Sequence, residues 1–286
     1  MVGREVVRQL ADRGIQVRAL ARNPQKAQFL KRSAVEILPG DLEVPGTIAA
    51  ALKGVEKVFL LSPADPRQVE LQGNVVAAAQ RSGVLHIVKL STLGASPNSP
   101  LAQARWHRQT EEQIEASGIA FTHLRPHNFM QNTLNFAPSI AAEGQFRAPL
   151  GEGKISLVDA RDVAAVAAAC LTEDGHEGRI YRITGPEALT YYQVTEKIST
   201  AIDKEITYMN ISSEEARKTM IGAGMSEWYV NDLIELYRQF QEGKGARVTD
   251  TIQRIAGKPP ITYDRFALDY AHVFKGDFSE IKPGIL

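Results

Sequence analysis

The chain has 286 residues, enough to bury one large core or two closely joined lobes, and its 44% hydrophobic and 23% charged content is ordinary globular usage. Lysines plus arginines number 33 and acidic residues also 33, so the formal net charge is zero and the basic excess of a general nucleic-acid or acidic-membrane binder is missing. The single cysteine, Cys170, excludes an internal disulfide framework and a cysteine-built metal centre.

Residues 3–13 read as a helix with Val6, Val7 and Leu10 on one face, followed by a β-rich run at 15–21 and a second helix at 24–31. A strand at 35–38, a helix at 46–52 and a strand at 57–61 come next. Then follow a helix at 66–82, a strand at 86–90, a helix at 103–116 and a strand at 120–124. Strands separated by helical stretches mean βαβ units and a parallel sheet covered on both faces. Gly14, Gly40, Gly54, Gly83 and Gly118 punctuate the strand ends. After about residue 128 the beat breaks. Strands are expected at 154–158 and 179–184, around an alanine-rich helix at 160–172 opened by Asp159. That helix, which carries Cys170, falls short of the roughly 18–20 apolar residues of a membrane span. From 185 the pattern is mostly helical, with one short strand at 206–210 and a capping-box-like start at Ser212-Ser213-Glu214-Glu215. The expectation is an α/β protein: a Rossmann-type, doubly wound parallel-sheet domain from 1–128 plus 154–184, with a smaller, mostly helical lobe from 129–153 plus 185–286. The opening residues show no apolar signal core, so a cytoplasmic protein without membrane attachment is expected.

A doubly wound nucleotide fold opens with a buried strand, a glycine-rich turn and a helix. This sequence opens on the helix, and Met1-Val2-Gly3-Arg4-Glu5 reads as the tail of such a turn, with Gly3 its last glycine. The first strand is therefore expected to lie upstream of Met1, and cofactor affinity of the chain as written is expected to be poor. About 20 residues after that turn such folds place an acidic residue for NAD or a basic one for NADP. Here the run is Ala21-Arg22-Asn23-Pro24, with Lys26 close behind. Arg22 can grip a 2′-phosphate where an Asp or Glu would repel it, so NADPH is the expected cofactor and NADH the weaker one. Asp41 and Leu42, after the third strand, lie where the adenine edge would be, although Asp41 reads equally as a turn or capping residue. Leu61, Ser62 and Pro63 end one strand, and Ser91 and Thr92 end the next, at the edge where open α/β sheets bind ligands.

Several of these pieces together resemble the NmrA-like branch of the atypical short-chain dehydrogenases: Val2-Gly3-Arg4-Glu5-Val6-Val7, Ala21-Arg22-Asn23-Pro24, Gly40-Asp41-Leu42, Leu124-Arg125-Pro126-His127-Asn128-Phe129-Met130-Gln131-Asn132, Asp159-Ala160-Arg161-Asp162-Val163-Ala164 and Tyr181-Arg182-Ile183-Thr184-Gly185-Pro186. The resemblance covers nearly the whole chain. It implies a Rossmann core with a C-terminal substrate lobe. It also implies one of two roles. The first is an NAD(P)H-dependent oxidoreductase of quinone-like or dye-like acceptors. The second is a redox-sensing regulator that binds the dinucleotide without turnover and acts through a partner protein.

None of the eight tyrosines has a lysine four residues later, which removes the Tyr-x-x-x-Lys apparatus of ordinary short-chain dehydrogenases. Counted back from Ser117-Gly118-Ile119, His107 falls where related reductases place a lysine or histidine. It is the candidate catalytic and ribose-binding residue, against the plainer reading of a surface histidine. Without the tyrosine, the simplest chemistry is direct hydride transfer to an electron-poor acceptor whose reduced oxygens collect protons from water. Asn128, Phe129 and Asn132 are expected to line the substrate side, and Arg125 to be a structural sheet-end residue. Met225, Trp228 and Tyr229 read as core packing before an apolar lid. No metal is expected, and neutral charge permits a homo-oligomer without indicating one.

Overall fold

Helix α1 (Val2–Asp12) places Val2, Val6 and Leu10 four residues apart, and all three are buried as one apolar stripe. The computed structural model to which it belongs describes residues 1–279. Strand β1 (Val17–Ala21) pairs in parallel with β2 (Val35–Pro39), Val17 opposite Val35. The helix expected over 24–31 does not form. The stretch is a series of turns with one 3-10 turn at Gln28–Leu30. Asn23 Oδ1 accepts the Lys26 N–H at 3.0 Å in a side-chain-closed turn, and Ala27 alone of the stretch is buried, so no apolar face holds a helix down.

Helix α2 (Pro45–Leu52) leads to β3 (Lys57–Leu60), α3 (Gln68–Arg81), β4 (His86–Leu90), α4 (Ala102–Ala116) and β5 (Ala120–Pro126). Strands β3, β4 and β5 pair in parallel in that order, Lys57 opposite His86 and His86 opposite Ala120, and β7 (Arg179–Ile183) lies beyond β5. Among the described residues β1 and β2 form one sheet and β3, β4, β5 and β7 another. Ile48, Leu60, Val75, Val76, Ile87 and Ile114 pack the helices onto the larger sheet. The turn from α4 into β5 runs through Gly118 at φ +77, a left-handed backbone that glycine adopts without penalty. This is the parallel, helix-flanked layering of a Rossmann-type domain, with strand carboxyl ends gathered at one edge of each sheet.

The chain divides into two compact units, Met1–Pro126 with Arg161–Arg182, and His127–Ala160 with the chain from Ile183 onward. Residues 280–286 of the expected lobe lie outside the described residues. The second unit has its own core, in which Met130, Leu134, Ile140, Phe146, Tyr191 and Phe266 take part. It contains helix α5 (Ala137–Glu143) and a strand the sequence did not suggest, β6 (Gln145–Ala148). The latter pairs in parallel with β8 (Thr207–Asn210). Helix α6 (Ala160–Thr172) precedes β7, and α7 (Tyr191–Ile202) starts on a full capping box of Thr190 and Gln193. Ser212 caps α8 (Ser213–Gly222) by accepting the Glu215 N–H, ahead of α9 (Glu227–Gln241) and the short α10 (Thr251–Ala256), α11 (Tyr263–Asp269) and α12 (Ala271–Phe274).

The strand expected over 154–158 is instead a segment with two isolated bridges, Ile155 to Leu189 and Val158 to Phe129. Its residues serve different neighbours in opposite directions, so no ladder can propagate. At Gly185 a Cβ would run into the Leu157 carbonyl, and only glycine admits that approach. No helix among the described residues is long and apolar enough to cross a membrane.

Candidate functional site

All five residues of β4 are buried, and one of them is Lys89, 0% exposed. A lysine inside a strand needs partners, because an unpaired buried ammonium is very costly. Its Nζ donates to Gln72 Oε1 on α3 at 2.9 Å and to the Leu90 carbonyl at 3.1 Å, and lies 3.0 Å from His107 Nδ1 on α4. Gln68 Nε2, one turn before Gln72 on α3, lies 3.3 Å from the same Nδ1. Two donors thus converge on Nδ1, which must accept; the neutral ring then carries its hydrogen on Nε2. Nε2 itself has no partner among the described residues, and the ring is half-buried. Burial pushes Lys89 down to about 7 against the opposing pull of Glu111. Burial, and then the Lys89 charge, hold His107 well below its ordinary value.

The network extends to the edge of the sheet. Gln72 Nε2 donates to Ser62 Oγ at 2.8 Å, so Ser62, Gln72, Lys89 and His107 form one chain of hydrogen bonds across β3, α3, β4 and α4. Leu61 meets the start of α1, where a Cβ at Gly3 would stand 3.0 Å from Leu61 Cδ2. Leu42 offers its carbonyl to Asn74 Nδ2 at 2.9 Å, which ties the end of β2 to α3. Asp41 is a turn residue: its Oδ1 accepts the Glu43 N–H, and its backbone exchanges bonds with the Thr47 hydroxyl. Pro63 is exposed and accepts from Ser62 Oγ. Arg22 and Lys26, after β1, are exposed, and their side-chain cations have no partner among the described residues.

At the end of β4, Thr92 is half-buried, with its hydroxyl 3.5 Å from the Leu93 carbonyl. Ser91 faces inward and donates to Glu111 Oε1 at 2.6 Å. Arg125 grips the same carboxylate with both arms of its guanidinium, at 2.9 and 2.5 Å, and Arg108 reaches it at 3.1 Å. Burial alone would raise the Glu111 carboxyl, but the bonds from Arg125 and Ser91 outweigh it and hold it below its usual value. Donor atoms of Glu111, Glu115 and His123 lie within 4.8 Å of one another. Arg108 and Arg125 already neutralise those carboxylates, so the cluster is an ion-pair anchor between α4 and β5.

Asn128, Phe129 and Asn132 belong to the second unit. Asn132 Nδ2 donates to Asn128 Oδ1, and Phe129 bridges Val158 through the backbone. A cavity of about 440 Å³ in that unit is lined by Phe136, Phe146, Arg147, Met220 and Tyr237 among others, and none of the three residues lines it. Trp228 and Tyr229 contact each other at 5.4 Å between ring centroids. Sequence reasoning missed Gln68, Gln72, Lys89 and Glu111. For Lys89 a signal existed, since a lone lysine inside His86-Ile87-Val88-Lys89-Leu90 breaks an otherwise apolar buried strand.

Over residues 1–260 the chain matches the NmrA-like family. It is 40% identical over 273 residues to the NAD(P)H azoreductase of Xenophilus azovorans, covering 96% of each chain. Its structure is similar to the NADPH complex of the quinone oxidoreductase QOR2 from Escherichia coli, with a TM-score of 0.84 and 30% identity over 93% of this chain and 95% of that one. It is also similar to the NADP(H) complex of Citrobacter sp. triphenylmethane reductase, with a TM-score of 0.84 and 26% identity over 95% and 96%.

Proposed function

The chain belongs to the NmrA-like family, and from that premise we propose that it is an NADPH-dependent reductase passing hydride to small quinone-like or dye-like acceptors in the cytoplasm. The observation that carries the reading is His107: a neutral imidazole with Nδ1 occupied from inside and Nε2 left as a single open donor. Likeness along 96% of both chains to a protein named for NAD(P)H-dependent azo reduction supports the same chemistry.

The residues fit the dinucleotide. Arg22 presents a guanidinium unpaired among the described residues, with no acid in Ala21-Arg22-Asn23 to oppose a 2′-phosphate, which favours NADPH over NADH. At the start of α1, Gly3 lacks the Cβ that would stand 3.0 Å from Leu61 Cδ2, and a helix N-terminus there would suit a pyrophosphate. Leu42, Leu61, Ser62, Pro63 and Thr92 lie at strand carboxyl ends and would contact the cofactor, with Lys26 adding positive charge near Arg22. Asp41 and Ser91 act one step back, as a turn and as an anchor to Glu111.

When bound, NADPH supplies the hydride. His107 Nε2–H would donate a hydrogen bond to the nicotinamide ribose or to an acceptor oxygen. A reduced quinone oxygen can also take its proton from water, so the protein contributes chiefly orientation and electrostatics. Asn128, Phe129 and Asn132 are the candidates for the acceptor side.

Fluorescence titration with NADPH and NADH tests the reading, on this chain and on a form extended ahead of Met1 by a strand and a glycine-rich turn. NADPH binding by either form, tighter than NADH, is the expected result. Binding of neither cofactor by both forms sinks it.

A further inference from the structure

Lys89 lies one layer behind His107 and is sealed from solvent, so it cannot touch an acceptor. Burying an ammonium in the middle of a strand serves no packing purpose that leucine would not serve better. Its three partners are the Gln72 amide oxygen, the Leu90 carbonyl and His107 Nδ1, and only the last is a group that chemistry can use. Gln72 is in turn fixed by Ser62, which holds the amide so that its oxygen faces Nζ.

We propose that Lys89 is a positioning residue, whose bond to Nδ1 locks His107 in the Nε2–H form and keeps one donor pointed outward. This deepens the reductase reading above and rests on it. The lock is chemical as well as geometric. A cation 3.0 Å from Nδ1 opposes protonation of that nitrogen, so the ring stays a neutral donor rather than an imidazolium. It also supplies a return path. If Nε2–H gives its proton to an oxyanion, the N–H bond at Nε2 breaks and a Lys89 N–H proton moves to Nδ1. The imidazole remains neutral, now Nδ1–H, and the lysine becomes a neutral amine. Uptake of a proton from water at Nε2 and return of the Nδ1 proton to Nζ restore the starting state. Burial suits Lys89 to give up a proton near neutrality, against the opposing pull of Glu111. Other titratable groups within reach of the pair are Glu111 on α4 and His123 on β5. The neutral side chains facing it are Gln68 and Gln72 on α3 and Ser62 after β3.

The test is nitrogen-15 NMR of the imidazoles in the cofactor-free chain and in Lys89→Met, with His107 assigned by its loss in His107→Gln. In the parent, His107 is expected as Nε2–H with a hydrogen-bonded, unprotonated Nδ1. In Lys89→Met the Nδ1 resonance should move, and the titration midpoint of His107 should rise by about one pH unit or more as the neighbouring cation is lost. Gln68→Leu should move both far less. An Nδ1–H ring in the parent overturns the proposal, and so does an unchanged Nδ1 resonance and midpoint in Lys89→Met. If Lys89→Met does not fold, the parent tautomer decides alone. The kinetic counterpart in Lys89→Met is a kcat lower by about tenfold at a nearly constant KM for NADPH. Because the spectra need no cofactor, failure of the lock is separable from failure of the reductase reading, which would appear as absent NADPH oxidation in the parent.

Discussion

At the scale of single residues, two side chains answer different questions, Arg22 about which cofactor and His107 about turnover. Arg22→Ser should weaken NADPH binding by about tenfold or more and leave NADH binding within a few-fold, since one charge-assisted contact to the 2′-phosphate is lost. Equal weakening of both would show that Arg22 contacts something common to the two. His107→Ala should lower kcat by about a hundredfold with NADPH affinity within a few-fold; an unchanged kcat would remove it from the chemistry. The place of Arg22 after β1 was legible in the sequence because it depends only on local order. The contacts of His107 with Gln68 and Lys89 were not, because Gln68 comes from α3 and Lys89 from β4, even though Lys89 stands out within its own strand. Their convergence depends on how two helices stack on one strand. Ser91 illustrates the same limit: its position at a strand end was legible, but its inward turn to Glu111 was not.

At the scale of elements, α4 is held to β5 through Glu111, whose carboxylate accepts from Arg125, Arg108 and Ser91. Glu111→Ala would leave a half-buried guanidinium and a buried hydroxyl unpaired, at a cost of about 3 kcal/mol, and Tm should drop by several degrees. A change within about 0.5 kcal/mol in urea unfolding would mean that the anchor is a bystander. The βαβ order of the first half was readable because strand runs, turn glycines and amphipathic helices agree there. The reading failed where local pattern and context parted. The stretch 24–31 has helix-permissive residues but buries only Ala27 and leaves Phe29 exposed. The apolar run at 154–158 is divided between Leu189 and Phe129. Strand β6 is four residues long and pairs with β8, some 60 residues further on, which local pattern does not reveal.

At the scale of the whole molecule, buried histidines set an acid limit. Burial holds His127 down to about 4, where its ring packs 5.5 Å from Phe240 with Nδ1 unpartnered among the described residues. Burial likewise holds His123 down to about 4, although Glu111 and Glu115 pull the other way. The unfolded chain protonates both near 6.5, so between about 6.5 and about 4 the unfolded state binds more protons and stability falls as pH drops. Each site contributes on the order of 3 kcal/mol across that window. Urea unfolding at stepped pH should show the slope, and His127→Phe should flatten it; an equal slope in that variant would assign the acid limit elsewhere.

Steady-state oxidation of NADPH on addition of a simple quinone separates a reductase from a protein that only binds the dinucleotide. Sustained turnover is the expected result, faster with NADPH than with NADH and lower by about a hundredfold in His107→Ala. NADPH that binds tightly but is not consumed with any quinone or azo dye would contradict it and leave a dinucleotide-sensing protein in its place.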